Sequence, residues 1–197
     1  DPRAVAAYDE RFGLNGHAVV GFMARFAEEK GIQYLIQAIP RVKEKIPHVK
    51  FLLAGENLKV IGEKVWERLR PQIEEQRENI FVLGTIPPHA VGNFFGACDV
   101  LTVPSINSTE SFGLVQVEAM LSGCPVVASD LPGVREPVRV TKMGEIVPIQ
   151  DARALADAIV RVIQNKKNYI RPRAEIENAF ALERTLDEYE KLFQELL

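Results

Sequence analysis

Short, nearly uninterrupted apolar runs recur along this chain, separated by longer stretches in which apolar residues return every three or four positions. The runs predict strands over His17–Met23, Val49–Ala54, Ile80–Leu83, Val100–Val103, Pro125–Ser129 and Gly144–Pro148. Between the first two, Ile32, Leu35, Ile36, Ile39 and Val42 keep helical spacing and predict a helix over Gly31–Lys45. A longer helix is expected over Leu58–Arg77, with Val65, Trp66 and Leu69 in its middle, and another over Pro87–Cys98, whose prolines suit a first turn. Pro2–Arg11 reads as a polar helical lead-in. Asp151 is placed to cap a helix over Ala154–Ile163, and Leu182, Leu186, Tyr189, Phe193 and Leu196 mark a closing amphipathic helix. Strands this apolar, each separated from the next by a helix, predict an α/β fold with a parallel sheet covered on both faces. Ligands bind at the carboxyl ends of such strands. Arg25, Lys30, Glu56, Thr85, Ser105 and Glu110 all follow strand ends, so the sequence places them on one rim.

The segment Ser105–Asp130 carries the most chemistry. Its two glutamates, Glu110 and Glu118, bracket a Phe112-Gly113-Leu114 turn that opens a helix ending at Ser122-Gly123. The first N–H groups of a helix lack intrahelical partners and carry the positive end of its dipole, which suits phosphate. Gly113 lets an anion approach the backbone closely. Glu110 lies on the loop before the helix, and Glu118 shares a helix face with Leu114. Neither carboxylate suits phosphate. Each can accept hydrogen bonds from hydroxyls, which a sugar joined to a nucleoside diphosphate offers.

The composition narrows the classes. With 197 residues, 47% of them apolar and 26% charged, the chain suits one globular core. A net charge of −3 gives no sign of a nucleic-acid partner. No apolar run is long enough for a transmembrane segment. Only two cysteines occur, Cys98 and Cys124, both in apolar settings that fit buried thiols in a reducing, cytoplasmic compartment. His17, His48 and His89 lie far apart in sequence without ligand spacing, so no metal is expected. The absence of a Gly-x-Gly-x-x-Gly after the first strand, and of a P-loop anywhere, argues against dinucleotide oxidoreductases and P-loop NTPases. No Asp-x-Asp pair occurs either.

The run Glu110–Met120 (ESFGLVQVEAM), followed by Gly123–Asp130, resembles the signature of retaining glycosyltransferases of family 4, the glycosyl transferases group 1, which have the GT-B fold. Gly21–Gly31 (GFMARFAEEKG) resembles the family's basic donor-phosphate motif, and the likeness continues in order through Leu53–Gly55, Phe81–Gly84 and Ala97–Ser105. It extends only to the C-terminal, donor-binding half of such enzymes. The resemblance therefore implies a Rossmann-like domain spanning 1–197, with the N-terminal acceptor domain absent from this chain and peripheral membrane contact left to that domain.

By the same resemblance, Arg25 and Lys30 hold the donor diphosphate as the glycosidic bond breaks, and the Phe112, Gly113 and Leu114 amides complete that pocket. Glu118 takes the ribose hydroxyls and Glu110 the transferred sugar, while Thr85 and Ile86 hold the base through backbone contacts. A front-face route, in which the leaving phosphate helps deprotonate the acceptor, needs neither protein nucleophile nor metal; no cofactor is implied beyond the nucleotide-sugar substrate. The isolated domain is expected to bind nucleotide and to transfer little sugar. A non-catalytic nucleotide-sugar-binding or regulatory module and another GT-B enzyme, such as a nucleotide-sugar epimerase, remain alternatives. The glycine loop Asp130–Glu136 also resembles a family element, with Arg135 and Pro137 departing from its usual residues.

Overall fold

The computed structural model describes residues 2–56 and 64–196. Among them, six parallel strands form one sheet: β1 (Ala18–Met23), β2 (Val49–Ala54), β3 (Ile80–Gly84), β4 (Val100–Val103), β5 (Val126–Ser129) and β6 (Gly144–Val147). Their spatial order is β3-β2-β1-β4-β5-β6. The chain thus builds outward from β1 to one edge, returns to the other side of β1, and builds outward again. That reversal opens a crevice between the carboxyl ends of β1 and β4, where doubly wound sheets bind ligands.

The connecting helices are α1 (Pro2–Phe12), α2 (Ile32–Lys45), α3 (Val65–Glu75), α4 (Pro88–Gly96), α5 (Leu114–Leu121), α6 (Glu136–Thr141) and α7 (Ala152–Gln164). Three more follow: α8 (Lys166–Tyr169), α9 (Arg173–Ala179) and α10 (Leu182–Leu196). Both faces of the sheet are covered. Val20, Phe22, Phe51 and Leu53 point to the side of α2, α3 and α7, whereas Val19, Leu52, Leu101 and Val126 point to the side of α1, α4, α5 and α9. Alternate residues of one strand feed opposite cores, so the central strands carry almost no polar side chain. Burying each such large apolar side chain contributes about 1.5–3 kcal/mol. Arg41 of α2 grips Asp157 of α7 through two hydrogen bonds of 2.6 and 3.0 Å, and this guanidinium holds the Asp157 carboxyl below its usual range.

Most expected elements form within a residue or two of their expected ends. Asp151 caps α7 as anticipated, its carboxylate accepting the Ala154 N–H at 2.8 Å. The first part of the helix expected over Leu58–Arg77 lies outside the described residues, and its later part is α3. The six-residue helix α6 within the glycine-loop region was not foreseen, because so short a segment shows no usable periodicity. His17 and His48, distant in sequence, meet edge to face with ring centroids 5.9 Å apart, because parallel pairing brings the starts of β1 and β2 together. They lie at the end of the sheet opposite the rim.

Candidate functional site

The loops after β1 and β4 are fastened to each other at three points. A Cβ on Gly31 would lie 1.8 Å from the Pro104 carbonyl oxygen, so only glycine, here in the left-handed conformation at φ +69°, permits the contact. The Ile106 N–H donates to the Glu29 carbonyl at 3.0 Å. Lys30 Nζ donates to Glu110 Oε2 at 2.7 Å, with both side chains less than one-fifth exposed. Lys30 and Glu110 are therefore brought together across the crevice, where Phe22, Thr102, Ser105 and Val115 also line a small cavity.

Arg25, also on the β1 loop, is about half exposed and donates from Nη2 to Glu29 Oε1 at 2.9 Å. It lines a cleft of about 320 Å³ with Met23, Gly55, Glu56, Thr85 and Ile86, which places the rim residues of β1, β2 and β3 around one space. Gly55 makes this possible, since a Cβ there would lie 1.9 Å from the Ala24 carbonyl oxygen. Met23 and Ala24 border both this cleft and the Lys30–Glu110 cavity, so the two spaces adjoin. Thr85 and Ile86 also form one wall of a second cleft, about 360 Å³, whose far side is Tyr8, Arg11 and Phe12 of α1.

The Phe112-Gly113-Leu114 turn sits at the start of α5 as expected. Gly113 adopts φ +76°, ψ +62° and precedes the first helical residue. Gln116, fully buried, holds this turn from behind: its Nε2 donates to the Phe112 carbonyl at 3.0 Å and to the Val134 carbonyl at 2.8 Å. Gly133 packs so closely on the Ser111 carbonyl that a Cβ would lie 1.6 Å from its oxygen. The glycine loop after β5 is thus a support for the turn. The Phe112 ring meets Phe180 edge to face at 6.0 Å, so its side chain packs while its backbone stays at the turn. Leu114 is 71% exposed and Glu118, one turn further, is exposed on the same face.

Three features of the site were not read from the sequence: the Glu29 partner of Arg25, the Gln116 brace and the Gly133–Ser111 contact. Glutamate four residues after arginine was a visible signal for the first. The other two depend on tertiary approach. Cys98 and Cys124 are buried, and burial holds the Cys98 thiol well above its ordinary pKa and pushes Cys124 up to about 12. They are inert packing groups. Among the described residues no group of three His, Cys, Asp or Glu side chains is arranged to hold a metal ion, and no helix is long and apolar enough to cross a membrane.

The sequence model of the glycosyl transferases group 1 matches residues 7–180. A phosphatidyl-myo-inositol mannosyltransferase of Mycobacterium leprae is 37% identical over 158 residues, which is 78% of this chain and 40% of that protein. Among solved structures, HepE of Anabaena in complex with UDP and glucose superposes with a TM-score of 0.82 at 25% identity, covering 99% of this chain and 53% of that one. Sucrose-phosphate synthase of Thermosynechococcus elongatus gives 0.75 at 29% identity, covering 96% of this chain and 48% of that one. The chain spans about half, or less, of the length of these proteins.

Proposed function

The chain belongs to the glycosyl transferases group 1 family, and from that premise we propose that it is the donor-binding domain of a metal-independent, retaining glycosyltransferase. The observation that carries this reading is the meeting of Lys30 and Glu110 at the strand-order reversal, beside the Gly113 turn and next to the cleft that holds Arg25. The donor's diphosphate lies against Lys30, Arg25 and the first amides of α5. Its ribose hydroxyls reach Glu118, its base lies along the Thr85–Ile86 backbone, and the transferred sugar meets Glu110. The UDP and glucose bound to HepE and the mannosyl transfer named for the mycobacterial relative support a nucleotide-sugar donor.

The chemistry follows from charge. As the anomeric carbon–oxygen bond breaks, its electron pair stays on the diphosphate, whose negative charge rises. Two side-chain cations and fixed amide dipoles stabilise that charge more in the transition state than in the ground state, the condition for acceleration. These groups occupy the role a divalent cation would otherwise fill. The acceptor's proton passes to the departing phosphate on the same face, so the anomeric configuration is retained without a protein nucleophile. The acceptor site belongs to the N-terminal half of the longer protein, and this domain alone binds donor and transfers little sugar.

Calorimetric titration of the chain with UDP, GDP and ADP in the presence of EDTA tests the reading. Binding of one diphosphate, weakened by Lys30→Ala and by Glu118→Ala, is the expected result. Binding that requires a divalent ion, or that ignores both substitutions, contradicts it.

A further inference from the structure

The β1 loop holds a second carboxylate whose placement has a function of its own. We propose that Glu29 is a positioning residue that sets the Arg25 guanidinium for the donor diphosphate; the proposal rests on the reading of Arg25 given above. A half-exposed arginine has many rotamers, and fixing it on a ligand costs entropy that a pre-formed partner removes in advance. Glu29 is that partner: its Oε1 accepts from Arg25 Nη2 at 2.9 Å, and its own side chain is only 17% exposed, against 54% for Arg25.

Glu29 is itself held. Its carbonyl accepts the Ile106 N–H at 3.0 Å, and the 3₁₀ turn Glu28–Lys30 around it is closed by Lys30 N–H to Ala27 O at 3.1 Å and Gly31 N–H to Glu28 O at 3.0 Å. The same residue thus fastens the β1 loop to the β4 loop through its backbone and fastens Arg25 through its side chain. One residue later, Lys30 reaches Glu110. The spacing between the two cations is set by a turn whose middle residue is Glu29.

The neighbouring acids do not duplicate this role. Glu28 pairs with Arg68 of α3 at 3.5 Å. Glu56, exposed on the β2 loop, lines the same cleft as Arg25 and is a competing partner for a guanidinium released from Glu29. One Arg25 nitrogen engaged by Glu29 leaves the other donors of the planar fork for phosphate oxygens. Glu29 is therefore not a group that binds ligand, and its effect passes through Arg25.

A double-mutant cycle on the 197-residue chain tests this, with UDP and GDP as probes and uridine and guanosine as controls lacking phosphate. Glu29→Ala is expected to weaken diphosphate binding roughly three- to tenfold and to leave nucleoside binding within about twofold, with Glu29→Gln restoring part of the loss. Arg25→Ala combined with Glu29→Ala is expected to bind no more weakly than Arg25→Ala alone. Unchanged or tighter diphosphate binding by Glu29→Ala overturns the proposal. So does an equal loss in the Arg25→Ala background or on the nucleosides, which marks a merely structural effect. If Arg25→Ala itself has no effect, or the unaltered chain binds neither diphosphate, the reading of Arg25 fails first and the proposal with it. If Arg25→Ala weakens binding and Glu29→Ala does not, only the positioning role fails. Glu29→Gln, which keeps an acceptor and the turn, carries the test should Glu29→Ala not fold.

Discussion

Lys30 Nζ lies 2.7 Å from Glu110 Oε2, so the loop that follows β1 and the loop that follows β4 share one ion pair over the crevice where the sheet changes direction. Each residue sits where the other is needed. The cation assigned to phosphate is paired with the carboxylate assigned to sugar.

That pairing separates the two residues experimentally. Lys30→Ala is expected to weaken nucleoside diphosphate binding about tenfold or more, the scale of one lost charge-assisted contact. Glu110→Gln is expected to bind the diphosphate as well as the unaltered chain or up to about fivefold better, because Lys30 then approaches phosphate with its charge uncompensated. Calorimetry on both variants checks the opposite signs. Joined to an acceptor-binding domain, as proposed above, the Glu110→Gln chain is expected to transfer sugar far more slowly.

Two of the close backbone contacts, at Gly31 and Gly133, are expected to be intolerant of any side chain. Gly31→Ala places a methyl group against the Pro104 carbonyl at a left-handed φ, and Gly133→Ala places one against the Ser111 carbonyl. Each change costs about 3 kcal/mol or more, because backbone rather than a flexible side chain must move. Urea denaturation measures the loss. Gly123→Ala serves as a comparison, since it has a positive φ but open space around its Cβ position, and it is expected to cost only about 1–2 kcal/mol.

Gln116 joins the turn before α5 to the loop before α6 through two carbonyls in a fully buried position. Gln116→Leu fills a similar volume but leaves both carbonyls without that donor, at about 1–3 kcal/mol. Diphosphate affinity is expected to fall with it, as the Gly113 amide is released from its fixed aim. Chemical denaturation and titration on the same variant measure the two effects.

Alkaline pH is expected to destabilise the domain through its thiols. Burial raises both folded pKa values, Cys124 to about 12 and Cys98 well above its ordinary value. The native state therefore keeps protons that the unfolded chain releases above about pH 8.5, and stability falls as pH rises from there toward the folded pKa values. It is fully present below that window. The slope is on the order of 1 kcal/mol per pH unit for each thiol. Urea unfolding at about pH 8 and about pH 10 should show this loss, and the Cys98→Ala, Cys124→Ala pair should flatten it.

The strands were legible because β1, β2 and β4 are buried on both faces and their runs are almost wholly apolar, broken only by Lys50 in β2 and Thr102 in β4. The gathering of Arg25, Lys30 and Glu110 was legible because residues after such strands lie on one rim, and the Gly113 turn because glycine opens the helix that follows. The pairings among them were not. Lys30 and Glu110 are 80 residues apart, and only the order β1-β4 makes them neighbours. His17 and His48 likewise meet only because β1 pairs with β2. Gln116 reads in sequence as an ordinary helix residue, and its brace depends on where the glycine loop passes. The closing helix α10 was read from its apolar stripe, yet in the fold Leu182, Leu186, Tyr189 and Phe193 are all more than half exposed, so periodicity gave the helix and nothing about its packing.

Amide NMR of the chain titrated with UDP or GDP and with the matching nucleoside tests whether diphosphate lies between Lys30, Arg25 and the amides opening α5. The Gly113, Leu114, Lys30 and Gly31 amides are expected to shift with the diphosphate and not with the nucleoside, while Thr85 and Ile86 shift with both. Shifts confined to Tyr8, Phe12 and Ala90 around the second cleft, or α5 amides that stay still at saturation, would contradict that placement.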